Sequence, residues 1–258
     1  MKSVNNISVI GVGLIGGSIV KAWKRKRPDA KIASLRGDYP DLQLAETWID
    51  HLFDSWKELI AWSDLIILAA PLSMITELAN EVSRHAPEDK RLLIIDVGSV
   101  KKAIVSTFER LTKNNVEFLS THPMAGKEKW GFAHSDPSLF ENRPWIVVPH
   151  EKNREESVKT ITSWIKLIGA EPILMSSEKH DQQTALVSHL PALISRLLLQ
   201  FVESEDADAL NIAGPCFHST TRVARDNPQL WKEISALNEE EIGKHFAKWL
   251  SFIREKSI

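Results

Sequence analysis

The chain has 258 residues, 43% of them apolar and 26% charged, with a formal net charge of -2; this fits one or two globular domains and excludes a disordered chain. So even a balance offers no global field for nucleic acid or an acidic membrane, and a single cysteine, Cys216, excludes an internal disulfide framework. Met1 leads straight into the apolar Ile7 to Ile10 segment without a basic leader, and no uninterrupted apolar stretch reaches the ~18–20 residues of a membrane helix, so a cytoplasmic protein without membrane or nucleic-acid partners is expected.

In chain order, ISVIG (Ile7 to Gly11) predicts a buried strand, and Ile15 to Arg25 the helix after it. KIASL (Lys31 to Leu35) is a second strand, and a helix from Ser55 leads into the apolar run Leu65 to Ala70, closed by Pro71. After another helix come RLLIIDVG (Arg91 to Gly98), a helix from Val100 to about Leu111, VEFLS (Val116 to Ser120), PWIVVP (Pro144 to Pro149) and EPILM (Glu171 to Met175). Near-continuous apolar strands separated by helices predict a mainly parallel sheet covered on both faces, a doubly wound α/β domain of residues 1–176. Beyond Ser177 the strand signals stop. Ala185, Leu186, Leu190, Leu193, Ile194, Leu197, Leu198 and Phe201 form an apolar stripe at helical spacing, and a second helical tract runs from Gln229 to Ile253 behind Pro228. Residues 177–258 therefore read as a small helical domain. Two apolar helices in so short a segment need further cover, and packing against the sheet domain and against a second copy of the chain is expected to supply it. The nine tryptophans are scattered, and most are expected in the core.

Gly11-Val-Gly13-Leu14-Ile15-Gly16 joins the first strand to the first helix. There the free backbone N–H groups and the positive helix end suit a pyrophosphate. Gly11 allows the tight turn, Gly13 the close backbone approach and Gly16 close helix–strand packing, which predicts a dinucleotide site. At the tip of the second strand no carboxylate stands where an NAD site usually holds the ribose. Ser34 and Arg36 stand there instead, and Arg36 suits a 2′-phosphate, so NADP is expected over NAD, with Asp38 an alternative ribose ligand. No His/Cys/Asp cluster has metal-ligand spacing, and no metal is expected.

Three further segments carry chemistry: Asp96-Val-Gly98-Ser99-Val-Lys101, Thr121-His122-Pro-Met-Ala-Gly-Lys-Glu128, and Ser188-His189-Leu-Pro191 followed by Thr220-Thr221-Arg222 and Trp231. With the opening glycines they span nearly the whole chain, and in order and spacing they resemble the prephenate dehydrogenase family, which includes arogenate dehydrogenases. The resemblance implies oxidative decarboxylation of a cyclohexadienol acid on the route to tyrosine, with hydride passing to NAD(P). It implies His122 as acceptor of the 4-hydroxyl proton and Ser99 as the residue that orients it and meets the nicotinamide amide. It implies Arg222 as carboxylate clamp, His189 at the substrate, Glu128 at the pocket mouth and Trp231 near the substrate. By itself Ser99 also reads as a helix cap, and His189 as a core or capping residue. The chain departs from the usual pattern at Ala192, where many relatives have a second histidine, at His218-Ser219 before TTR, and at the bulky Trp130. These departures lie at the substrate end and leave prephenate and arogenate both open. The competing readings are a β-hydroxyacid-type dehydrogenase, which would carry a helical lysine not found between Ser188 and Gln200, and a non-catalytic nicotinamide sensor.

Overall fold

The computed structural model describes residues 4–37, 41–71, 74–86, 88, 90–111, 115–127 and 129–256. The chain divides into two compact units, Met1–Ser177 and Glu178–Ile258, one residue beyond the expected boundary.

Among the described residues the first unit forms one eight-stranded sheet. Its strands are β1 (Asn6–Ile10), β2 (Lys31–Leu35), β3 (His51–Phe53), β4 (Leu65–Leu68), β5 (Leu92–Asp96), β6 (Val116–Pro123), β7 (Pro144–Val148) and β8 (Glu171–Leu174). They lie in the order β3-β2-β1-β4-β5-β6-β7-β8. All neighbours are parallel except β6 and β7. The chain runs outward from β1 through β2 to β3, then crosses back to place β4 on the other side of β1. That reversal opens a crevice at the carboxyl ends of β1 and β4, where open α/β sheets bind ligands. Every residue of β4 is buried, which is why its sequence is an unbroken Leu-Ile-Ile-Leu rather than an alternating pattern.

The helices of this unit are α1 (Leu14–Lys26), α2 (Leu42–Glu46), α3 (Trp56–Trp62), α4 (Ile75–His85), α5 (Lys102–Leu111) and α6 (Glu155–Leu167). α3 begins with a serine cap. Ser55 Oγ accepts from the Glu58 N–H at 3.3 Å and donates to the Glu58 carboxylate at 3.0 Å. The sequence reading has no counterpart for the three-residue β3, for α2 or for α6. α5 starts two residues later than expected, because Lys101 is drawn fully into the interior. Only Trp23 and Trp145 of the nine tryptophans are buried, and Trp130 is 71% exposed. The expectation that most pack in the core is therefore corrected: five of the nine, Trp56, Trp62, Trp164, Trp231 and Trp249, are half-buried.

The second unit contains α8 (Leu190–Glu205), α9 (Pro215–Thr220), α10 (Pro228–Leu237) and α11 (Glu239–Glu255), and α7 (Ser177–Thr184) leads into it. A π-helical turn, Ala185–His189, joins α7 to α8, and there the Leu190 N–H bonds the Ala185 carbonyl five residues back. Pro191 explains the wider turn. It has no N–H for the Val187 carbonyl, so the regular four-residue ladder cannot continue through this point. The expected single tract from Gln229 to Ile253 is two helices, broken at Asn238, whose φ of -124° is non-helical. Leu186, Val187, Leu197 and Phe201 of the π-turn and α8 are exposed. The helical run Ser177–Glu205 is long and apolar enough to cross a membrane by length and composition, with a mean hydropathy of 1.5 over eighteen residues. Its apolar residues are interrupted by His189, Ser195 and Arg196.

Candidate active site

The glycine turn is built as a phosphate-accepting backbone. Gly11 has φ +90°, a conformation that side chains resist, and a Cβ there would overlap the Ala69 carbonyl of the chain leaving β4. A Cβ on Gly16 would overlap the Gly11 carbonyl, so the helix can close on the strand only without one. Gly13 faces open space, with nothing within 4 Å of the position a Cβ would take. It stands at the N-terminus of α1 without a side-chain cap, and no acidic residue lies in the first turn. The backbone of Gly13, Leu14, Ile15 and Gly16 therefore offers the positive end of a helix that no side chain of its own neutralises. These residues fit a dinucleotide pyrophosphate.

At the tip of β2 the two polar candidates separate. Ser34 is fully buried, and its hydroxyl donates to the Val9 carbonyl at 2.7 Å. It stitches β2 to β1. Arg36 is half-exposed at the strand end, its Nε 2.8 Å from an Asp54 oxygen and an Nη 3.7 Å from Glu46. Arg36 is thus paired with one acid just after β3 and one in α2. Asp38 lies outside the described residues.

Ser99 and His122 follow or end neighbouring parallel strands, β5 and β6, whose register aligns Ile95 with Leu119. Along the carboxyl edge of the sheet the order is Arg36 after β2, Gly11 to Gly13 after β1, Ser99 after β5 and His122 in β6, with β4 between β1 and β5. At ~4.8 Å per strand, His122 lies about 14 Å along the sheet from the glycine turn. His122 is 9% exposed and pairs across the antiparallel boundary with Ile146.

Beneath these two residues lies a network that sequence reasoning missed. The Asp96 side chain, 0% exposed, accepts from Ser120 Oγ at 2.7 Å, Thr121 N at 3.0 Å, Gly98 N at 2.8 Å and the ammonium of Lys101. Lys101, also 0% exposed, donates to the Thr121 carbonyl at 2.7 Å, and the Thr121 hydroxyl donates to the Asp96 carbonyl at 2.5 Å. Four donors on one carboxylate satisfy a charge that could not otherwise be buried. The result clamps the loop carrying Ser99 to the residue preceding His122. The helix cap considered for Ser99 does not arise, since α5 begins three residues further on.

In the helical unit His189 is buried at the end of the π-turn, and Trp231 meets it edge-on with ring centroids 6.2 Å apart. Burial lowers the His189 pKa from its ordinary value to about 4, aided by His180 and opposed by Asp181. The Arg196 guanidinium sits 5.2 Å from the Trp231 ring centre, a cation–π contact. Arg222 is exposed at the start of a 3-10 turn, Arg222–Arg225. Glu128 lies outside the described residues. The three departures from pattern are also placed: Ala192 is buried, His218 is in α9 and Trp130 is largely exposed.

Two family models match the chain. One, described as prephenate dehydrogenase, nucleotide-binding domain, matches residues 24–174; the other, described as prephenate dehydrogenase, dimerization domain, matches residues 176–256. The chain belongs to the prephenate dehydrogenase family. The prephenate dehydrogenase of Bacillus subtilis is 31% identical over 95% of this chain and 67% of its own length. A cyclohexadienyl dehydrogenase of Zymomonas mobilis is 29% identical over 92% of this chain and 82% of its own. The crystal structure of Aquifex aeolicus prephenate dehydrogenase in complex with hydroxyphenyl propionate and NAD+ superposes with a TM-score of 0.88 at 28% identity, covering 98% of this chain and 90% of that one. Synechocystis arogenate dehydrogenase gives 0.80 at 26% identity, over 97% and 90%. A Mycobacterium tuberculosis 3-hydroxyisobutyrate dehydrogenase, at 11% identity and a TM-score of 0.56, shares the fold alone. As a prephenate dehydrogenase family member the chain is a nicotinamide-dependent oxidoreductase, and its helical unit matches the family's dimerization domain. The glycine turn precedes the matched residues of the nucleotide-binding model, so its assignment rests on geometry.

Proposed function

We propose that this family member oxidises a cyclohexadienol acid, prephenate or arogenate, with loss of its ring carboxylate, in the cytoplasmic synthesis of tyrosine. The reading is carried by the order of groups along one edge of the sheet, from Arg36 through the glycine turn to Ser99 and His122. When bound, the nicotinamide accepts hydride from C4 of the substrate ring. His122 takes the proton of the 4-hydroxyl as C4 becomes a carbonyl, the work of a positioned general base. Loss of the ring carboxylate as CO2 then leaves a phenolate, and the proton held by His122 returns to that oxygen to give the phenol. Ser99 orients His122 and meets the cofactor amide. Arg222 pairs with a substrate carboxylate, since a guanidinium binds it in two-pronged fashion. His189 and Trp231 complete the substrate contacts, with Glu128 at the mouth. The exposed apolar face of α8 joins a second copy of the chain, and the free, exposed thiol of Cys216 suits a reducing compartment.

The test is absorbance at 340 nm with NADP or NAD, with prephenate and arogenate supplied separately. Turnover of either acid is expected; cofactor binding without turnover would point instead to a sensor. Arg222→Ala is expected to raise KM for the acid by roughly 10- to 150-fold, the equivalent of one charged hydrogen bond, and KM for the dinucleotide by less than about threefold. Equal effects on both would remove Arg222 from the substrate.

We propose NADP over NAD, with Arg36 as ligand of the 2′-phosphate. Because Asp54 and Glu46 share that guanidinium, a phosphate must displace a carboxylate, and the preference is expected to be modest. Arg36→Ala should lower kcat/KM for NADP by roughly 10- to 150-fold while leaving NAD within about threefold. Asp54→Asn should move the ratio the other way. A higher kcat/KM with NAD in the unmodified chain would overturn the assignment.

A further inference from the structure

The helical unit treats the two ring nitrogens of its buried histidine differently. His189, 2% exposed, has Nδ1 3.1 Å from the side-chain nitrogen of Asn238. The same amide nitrogen donates to the Asp181 carbonyl at 3.0 Å. A carbonyl oxygen only accepts, so the NH2 end of the amide must be the end that faces it. That NH2 end also faces His189, and it has only protons to offer. Nδ1 must therefore accept, which leaves the proton of a neutral imidazole on Nε2.

Nε2 is itself buried and has no hydrogen-bond partner within the described residues. A histidine that merely filled the core would have its remaining N–H paired, as buried polar groups are. The Trp231 ring lies nearly perpendicular to the imidazole, at 84° with centroids 6.2 Å apart, and its indole offers no hydrogen-bond acceptor of the carbonyl or carboxylate kind. The charged and titratable groups that act on the ring are His180 and Asp181 of α7, and Arg196 of α8 lies over the Trp231 ring that packs against it. Burial outweighs the pull of Asp181 and keeps His189 neutral at ordinary pH.

We propose that Asn238 is a positioning residue that fixes His189 as its Nε2–H tautomer, so that the ring presents one neutral N–H donor to an oxygen acceptor of the substrate. The carboxylate, carbonyl and hydroxyl oxygens of a cyclohexadienol acid are acceptors of that class, whereas an ammonium group is not. The inference rests on the reading of His189 as a substrate residue.

The tautomer is read by long-range nitrogen–proton NMR on the unmodified protein labelled at histidine, with His189→Asn identifying the signal. A neutral ring protonated at Nε2 is expected at pH 7. In Asn238→Asp the new carboxylate accepts from Nδ1, so the ring should become Nδ1-protonated or charged. KM for the acid should then rise at least about tenfold while KM for the dinucleotide stays within about twofold. A Nδ1–H tautomer in the unmodified protein overturns the proposal whether or not the variant folds. So does the expected tautomer combined with an unchanged KM in Asn238→Asp, which would make Asn238 only the end of a helix. The NMR reading needs no turnover, so an inactive unmodified chain would count against the dehydrogenase reading and leave the tautomer to be decided on its own.

Discussion

His122→Asn is expected to lower kcat by about 10²- to 10⁴-fold, the contribution of a positioned general base, with the dissociation constant of the dinucleotide unchanged. The argument begins with the reaction. As hydride leaves C4 the oxygen on that carbon becomes a carbonyl, and its proton has to go to a nearby acceptor. Among the groups along the carboxyl edge, Arg36 is always protonated and Ser99 is too weak a base. Lys101 is sealed from solvent and donates to Asp96 and Thr121. The His122 imidazole remains, in the last turn of pairing between β6 and β7. Asparagine keeps a hydrogen-bonding side chain of similar size, so substrate and cofactor should still bind. Single-turnover rates separate chemistry from binding, and a variant with full kcat would sink the assignment.

Lys101→Met is expected to destabilise the protein by about 3–5 kcal/mol, because it leaves the buried Asp96 carboxylate without its counter-ion. At this chain length that corresponds to a fall in Tm of roughly 6–20 °C. Three donors to Asp96 survive the substitution, from Ser120, Thr121 and Gly98, so the carboxylate stays hydrogen-bonded but loses its compensating charge. The Thr121 carbonyl also loses the Lys101 bond of 2.7 Å. Asp96→Asn should be destabilising in its own right, and the double variant should cost less than the sum of the two. A coupling of about 0.5–3 kcal/mol is expected for groups in one network. Additive losses in thermal or denaturant unfolding would mean that the pair is not the unit described here. Because the clamp joins the Ser99 loop to the strand end bearing His122, kcat should also fall in Lys101→Met even well below its Tm.

The fold was largely legible where burial makes a pattern. β4 is covered on both faces, so its residues form an apolar run that can be read without neighbours. β2 was placed to the residue. Short elements were not legible: β3 has three residues, too few to show a period, and its strand character comes from pairing with β2. Hydrophobic spacing carried the helical tract past Asn238 without interruption, because a break that keeps the apolar face in register leaves little trace in periodicity. The π-turn was hidden for a similar reason, although Pro191 in the middle of an apolar helical stripe was the available signal.

By itself the sequence determined the alternation of strand and helix, the glycine turn and the family motifs, since each is a local arrangement of backbone freedom, burial period or neighbouring residues. Tertiary structure alone decided what those residues touch. Asp96 meets Thr121 from 25 positions away, and Asn238 meets His189 from 49 positions away. Arg36 finds its acids just after β3 and on α2 rather than on its own strand. Hydrogen bonds and ion pairs depend on distances of about 3 Å and on the direction of individual donors, and such distances are set by which strands and helices become neighbours.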